Sequence, residues 1–166
     1  MNDIIKLRGV KMAKVEKKDN VKLQVLAPNE QGAVIEMIRK DQTLQETFSG
    51  SRNTITRIAN SAYTALIKNG NTTVGFIMLV ENGRTGKFEI DMGILGKHRG
   101  KGYGSQALAK LKQIILNNPE KLDIEIETKR VNEAAIRSVM KNGFELYRES
   151  HECYYFRLPE ETKKHK

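Results

Sequence analysis

The chain has no tryptophan, one cysteine and three prolines in 166 residues. A single thiol, Cys153, excludes an intramolecular disulfide and a paired-cysteine metal site, and it suits a reducing compartment. Long apolar runs are missing too. The longest, Val74–Val80, has seven residues including Gly75, against the ~20 that a spanning helix requires. The opening stretch MNDIIKLRGVKMAKVEKK mixes charges with isolated apolar residues, with neither a hydrophobic region nor a small-residue cleavage site. No secretory signal is therefore expected, and the expected location is cytoplasmic. What remains is 39% hydrophobic and 30% charged, which excludes global disorder and fibrous repeats. At this length a single domain over residues 1–166 is expected, with 159–166 as a frayed tail.

Acid is scarce where base is dense. The chain carries 29 basic and 20 acidic residues, a net +9, and residues 96–112 hold Lys97, Arg99, Lys101, Lys110 and Lys112 with no acid. Such a block suits a polyanion: nucleic acid, a membrane surface or a phosphorylated small molecule. Nucleic-acid modules interleave base with stacking aromatics, whereas only His98 and Tyr103 stand inside this block. A small phosphate ligand fits better. His98, His151 and His165 form no ligand-spaced cluster with Cys153, so no metal site is expected.

The patterning predicts two short early strands, Ile4–Leu7 and Val21–Leu26, and then an amphipathic helix over Asn29–Arg39 whose apolar positions are Ala33, Val34, Met37 and Ile38. A helical or loop region runs on to Phe48. Ser49–Asn60 reads either as a substrate-facing loop or as a further short helix. Ala62–Ile67 and Val74–Val80 flank an Asn-Gly turn, the strongest short hairpin signal, and Lys87–Leu95 alternates as a third strand. A helix over Ser105–Leu116 stops at Pro119, a strand spans Leu122–Glu127, and a second helix spans Asn132–Lys141 with Ala135, Ile136, Val139 and Met140 as its stripe. Phe144–Tyr147 and Cys153–Leu158 close the chain as paired strands. The fold class expected is α/β: a mixed, largely antiparallel sheet flanked by helices.

Chemistry concentrates at Gly100, Gly102 and Gly104, just ahead of a helix. Alternating glycines let several backbone N–H groups converge on phosphate oxygens, and the helix N-terminus adds partial positive charge. Ser105 can add a hydroxyl, while Arg99 and Lys101 can neutralise outer charge. The nucleotide-triphosphatase pattern GxxxxGK[ST] is absent. A dinucleotide fingerprint competes, because Gly102–Ala107 fits GxGxxA and Glu127 follows twenty residues after Ala107. Against it, six residues separate Leu95 from Gly102, and thirty-nine after Glu127 are too few for the second half of a doubly wound sheet.

The run from Gly93 to Leu108 resembles the acyl-CoA-binding signature of the GNAT superfamily of N-acyltransferases, [Q/R]xxGx[G/A], with Arg99, Gly102 and Gly104 at its defining positions. Asn132–Phe144 resembles that family's second signature, NxxAxxxxxKxGF, and a helix and a strand separate the two. The resemblance implies an acetyl-CoA-dependent N-acetyltransferase acting on an amine, with the pantetheine arm entering a gap beside the strand that precedes the glycine loop. It implies backbone contacts from Ile94 and Leu95, a pyrophosphate cradle from Arg99, Gly100, Lys101, Gly102, Tyr103, Gly104 and Ser105, and a thiol-end contact from Asn132. Family members often pair as homodimers.

Acetyl transfer to an amine needs a proton acceptor, since an alkyl ammonium titrates near ~10. Glu89 lies where the family often carries that base, and strand alternation puts Asp91 on the same face. The family's tyrosine acid, seven residues after the motif asparagine, is Val139 here. Tyr154 is the replacement expected, with Tyr155 and His151 as alternatives. Asp123, Glu125 and Glu127 alternate along one strand and are expected to form a solvated face, or else to favour a cationic acceptor beside Glu89. A GNAT-like module that binds acyl-CoA without turnover is the alternative in another class, and a nucleic-acid binder is a third.

Overall fold

The computed structural model describes residues 20–48 and 54–160. The expected strand Ile4–Leu7 and the end of the tail lie outside them. Seven strands form one sheet in the order β1-β2-β3-β4-β5-β7-β6: β1 Val21–Val25, β2 Ser61–Asn69, β3 Thr72–Glu81, β4 Phe88–Ile94, β5 Ile124–Lys129, β6 Glu145–Glu149 and β7 Cys153–Arg157. Every neighbouring pair is antiparallel except β4 and β5. Helices α1 Gly32–Lys40, α2 Gln42–Phe48 and α3 Thr54–Ala59 precede β2, α4 Tyr103–Leu116 joins β4 to β5, and α5 Glu133–Lys141 joins β5 to β6.

Helices cover both faces of the sheet, and β3 makes this visible. Ile77 and Leu79 join a core with Ala107, Leu108, Leu111 and Ile115 of α4. The alternate residues Phe76, Met78 and Val80 join a second core with Val34, Leu44 and Ile58 from the first three helices. Burial on both sides explains why β3 reads as an unbroken apolar run, while its neighbour β4, covered less completely, alternates. The predicted hairpin forms at Gly70, whose φ of 62° is the left-handed conformation the Asn-Gly pair provides.

Several expectations shift. The undecided segment after Phe48 is helical from Thr54 to Ala59. The strand predicted at Leu122–Glu127 runs from Ile124 to Lys129, because β7 supplies partners as far as Cys153 opposite Lys129. Met140, placed in the apolar stripe of α5, is 58% exposed. Only Val139 of that helix is fully buried.

Two glycines permit the central strands to pack. A Cβ on Gly75 would lie 2.2 Å from the carbonyl oxygen of Gly93, and one on Gly93 would lie 2.7 Å from Leu44 Cδ2. Main chain cannot yield as a flexible side chain can, so Gly75 is the stricter requirement.

Candidate active site

The parallel pair β4 and β5 holds together over only two positions, Phe88 opposite Ile124 and Glu89 opposite Glu125. Past them the strands separate. A groove of about 870 Å³ opens there, walled by Asp91 and Met92 of β4, by Glu127 and Thr128 of β5, by Asn132, Ala135 and Val139 at α5, and by Thr47 and Arg57 from the first helical layer. The gap expected beside the strand before the glycine loop is therefore present.

At one end lies the N-terminus of α4. Gly100 and Gly102 have φ of 78° and 87°, a left-handed conformation that costs a side-chain-bearing residue energy. Gly102 is the N-cap and supplies no capping side chain, and no acid stands in the first turn. The helix thus presents its terminal N–H groups and positive dipole end without an internal counter-charge. Gly104 serves packing, since a Cβ there would come within 3.3 Å of Met92 Cε. Arg99 lines the groove and leans over α2, its Nη2 3.5 Å from Thr47 Oγ1, while Lys101 is exposed.

Other loop residues have structural duties. The Tyr103 hydroxyl accepts from Asn69 Nδ2 at 2.8 Å, which ties the loop to the β2–β3 hairpin. Asn142 Nδ2 donates to the carbonyl and hydroxyl oxygens of Ser105, at 3.1 and 3.3 Å, and so joins the end of α5 to the start of α4. Asn132 caps α5, its Oδ1 accepting from the Ala135 amide at 3.2 Å, and it also lines the groove. Leu95 departs from expectation: its N–H donates to Val74 and its carbonyl accepts from His98, so both of its peptide groups are taken. Peptide orientation alternates along a strand, so the edge facing the gap is that of Ile94 and Met92. Strand alternation was the signal that could have named Met92.

The other end gathers charge. Arg57 Nε donates to Asp91 Oδ2 at 2.8 Å, Arg57 Nη1 lies 3.0 Å from Glu89 Oε1, and Asn82 Nδ2 donates to Glu89 Oε2 at 2.9 Å. Asp91 and Arg57 line the groove, whereas Glu89 stands behind them. Burial works against the Arg57 charge, but the hydrogen bond and attraction of Asp91, with Glu89 added, outweigh it and raise the guanidinium above its ordinary range. Sequence reasoning missed Arg57 because α3 contributes it from thirty-four residues away.

The β5 carboxylates do not form a solvated stripe. Glu125 is 5% exposed, hydrogen-bonded by the Tyr147 hydroxyl and by Arg148 Nη2 at 3.1 Å. Asp123 lies before the strand and pairs with Lys87 at 3.5 Å. Glu127 reaches the groove, beside Cys153. Burial, with the hydrogen bond to Glu127, pushes the Cys153 thiol up to about 11. Tyr154 does not line the groove: its hydroxyl accepts from Arg130 Nη1 at 3.3 Å, and its ring packs against Phe156. Strand alternation turns Tyr155 and Cys153 to the groove instead. Among the described residues no three His, Cys, Asp or Glu gather as metal ligands, and no helix is long and apolar enough to cross a membrane.

The family description "Acetyltransferase (GNAT) domain" matches residues 12–145. Among solved structures, aminoglycoside acetyltransferase AAC(6')-Ib, in complex with paromomycin and acetyl-CoA, superposes with a TM-score of 0.71 at 18% identity, covering 88% of this chain and 97% of that one. The ribosomal-protein α-N-acetyltransferase RimL in complex with coenzyme A gives 0.61 at 14%, covering 84% and 94%. A spermidine N-acetyltransferase SpeG chimera from Vibrio cholerae and hSSAT gives 0.61 at 13%, covering 89% and 100%. No protein of curated function matches the chain in sequence. With four-fifths of its length inside the family's domain and the family's fold around a split parallel pair, the chain belongs to the GNAT acetyltransferases and is an enzyme of that family.

Proposed function

We propose that this protein transfers the acetyl group of acetyl-CoA to a primary amine on a small molecule, peptide or protein. The observation that carries the reading is the separation of β4 from β5 after two residue pairs, with the uncapped α4 terminus at one end and the Arg57–Asp91–Glu89 cluster at the other.

The residues fit coenzyme A. Arg99, Gly100, Lys101, Gly102 and the α4 terminus through Ser105 would hold the diphosphate, with Tyr103 anchoring the loop. The peptide edge at Ile94 and Met92, where the Ile94 carbonyl accepts from Arg99 Nε at 3.4 Å, would pair with the pantetheine amides, and Asn132 would stand near the thiol end. Acetyl-CoA, when bound, supplies an activated thioester. Asp91 offers the carboxylate that takes the ammonium proton, directly or through water, while Arg57 fixes its direction and Glu89 braces Arg57 from behind. The relatives' acceptors, aminoglycosides, a ribosomal protein and spermidine by their titles, define the chemical range to be tried.

Calorimetry with acetyl-CoA, joined to thiol release over a panel of small amines, polyamines, aminoglycosides and peptide N-termini, tests the reading. Binding heat with amine-dependent release is expected. One observation favours a second reading: Val139, where the family carries a tyrosine, is 3% exposed and brings no proton donor to the groove. Binding without release from any amine would establish a non-catalytic acyl-CoA module instead.

A further inference from the structure

One wall of the groove holds a hydroxyl that the fold does not use. Thr128, on β5, is 6% exposed, and its Oγ1 is buried without a hydrogen-bond partner among the described residues. A buried hydroxyl left unpaired is destabilising, and threonine is not needed to make this strand. Valine has the same shape, the same β preference and no polar atom to satisfy. The side chain also has a direction. Thr128 lines the groove, and alternation along β5 puts it on the side of Ile124 and Ile126, facing the core that includes Val139 of α5. Asn132 and Ala135 line the same wall. A polar group is thus held dry beside the place where α5 presents an aliphatic side chain.

On the acetyltransferase reading above, on which this inference rests, we infer that Thr128 Oγ1–H donates a hydrogen bond to the departing sulfur of coenzyme A. In the step itself the amine nitrogen bonds to the acetyl carbon and the carbon–sulfur bond breaks, its electron pair staying on sulfur. The ammonium gives one proton to Asp91 or water before the attack, and the nitrogen releases a second to water as the amide forms. A thiol titrates near ~8.5, so the thiolate leaves without an acid and then takes its proton from water. Thr128 keeps its own proton throughout and stabilises sulfur as negative charge develops there. That contact is strongest in the transition state, so its loss falls on kcat rather than KM.

The test is Thr128→Val beside Thr128→Ser, measured as thiol release from acetyl-CoA with the best amine of the panel, as acetyl-CoA binding heat and as thermal melting. Valine removes an unsatisfied hydroxyl without opening a cavity, so its melting temperature is expected to equal or exceed that of the wild type. Its kcat is expected to fall about 10- to 100-fold with both KM values little changed, and serine is expected to keep kcat within a few-fold. Three results overturn the inference: Thr128→Val keeping wild-type kcat, a rise in KM for acetyl-CoA alone, or melting lowered by several degrees, which would assign the hydroxyl a structural partner. Wild-type protein that binds acetyl-CoA yet releases no thiol with any amine overturns the acetyltransferase reading itself, and this inference with it.

Discussion

The two ends of the groove are built in opposite ways. The end proposed for phosphate is backbone: two left-handed glycines, an uncapped helix terminus and no acid in the first turn, all within a few consecutive residues. The end proposed for the acceptor is side chain, with Arg57 from α3 meeting Asp91 and Glu89 from β4 and Asn82 from the loop before it. A site made of main chain is written in local sequence, because glycine is required wherever the chain must bend that way. A site made of converging charges depends on which helix lies over which strand, and short segments do not record that.

The largest effect expected at the acceptor end comes from Arg57→Ala, which leaves two partly buried carboxylates without this partner. A loss of about 3 kcal/mol is expected, a drop of roughly 6–12 °C in melting temperature for a chain of this size. Acetyl-CoA heat per folded molecule should survive, because the phosphate end is untouched. If that heat disappears as well, the two ends are not separable.

Gly102→Val addresses the opposite end. A Cβ there would meet nothing nearer than Gln106 Nε2 at 3.6 Å, but φ is 87°. Strain of about 1–3 kcal/mol should appear as a 10- to 100-fold loss of acetyl-CoA affinity by calorimetry, with the Arg57 cluster intact. Unchanged affinity would remove the glycine loop from the binding site.

Within the acceptor end, Asp91 and Glu89 should part company. Asp91 lines the groove and Glu89 does not, so Asp91→Asn is expected to lower kcat at least tenfold more than Glu89→Gln, as a general base outweighs its support. Equal losses, or the reverse order, would return the proton-accepting role to Glu89.

The smallest effect concerns Cys153, whose thiol titrates near 11 against an ordinary 9.0. Folding holds the proton on, so the stability this contributes is present below about 9 and lost as pH rises through about 11. Alkylation by iodoacetamide, followed by mass spectrometry at pH 8, should be well slower than for an unfolded control and should accelerate toward pH 11. An equal rate at pH 8 would show that Cys153 is not buried against Glu127.

Several parts of this pattern were legible in advance. The Asn-Gly hairpin, the alternation of β4, the cap at Asn132 and the stop at Gly143 are each local, and each stands where the sequence put it. Helix α4 begins at Tyr103, two residues before the predicted start, because Gly102 is the N-cap itself. Errors arose where a side chain's fate depends on a distant neighbour. Glu125 alternates like a surface residue, yet Tyr147 and Arg148 from β6 and the strand irregularity there enclose it. Tyr154 and Tyr155 are adjacent phenols with equal claims in one dimension. The register of β7 on β5, Thr128 opposite Tyr154 and Glu127 opposite Tyr155, sends the first toward Arg130 and the second to the groove.

What one dimension determined, then, is the element order, the family and the glycine-rich turn ahead of α4, because periodicity, capping and glycine conformation act over a few neighbouring residues. Only the folded sheet decided that Leu95 spends both peptide groups internally, that Arg57 faces Asp91, and that the Thr128 hydroxyl has no partner among the described residues. Each depends on which elements the sheet and its two helical layers bring together, and a short segment read alone does not record that.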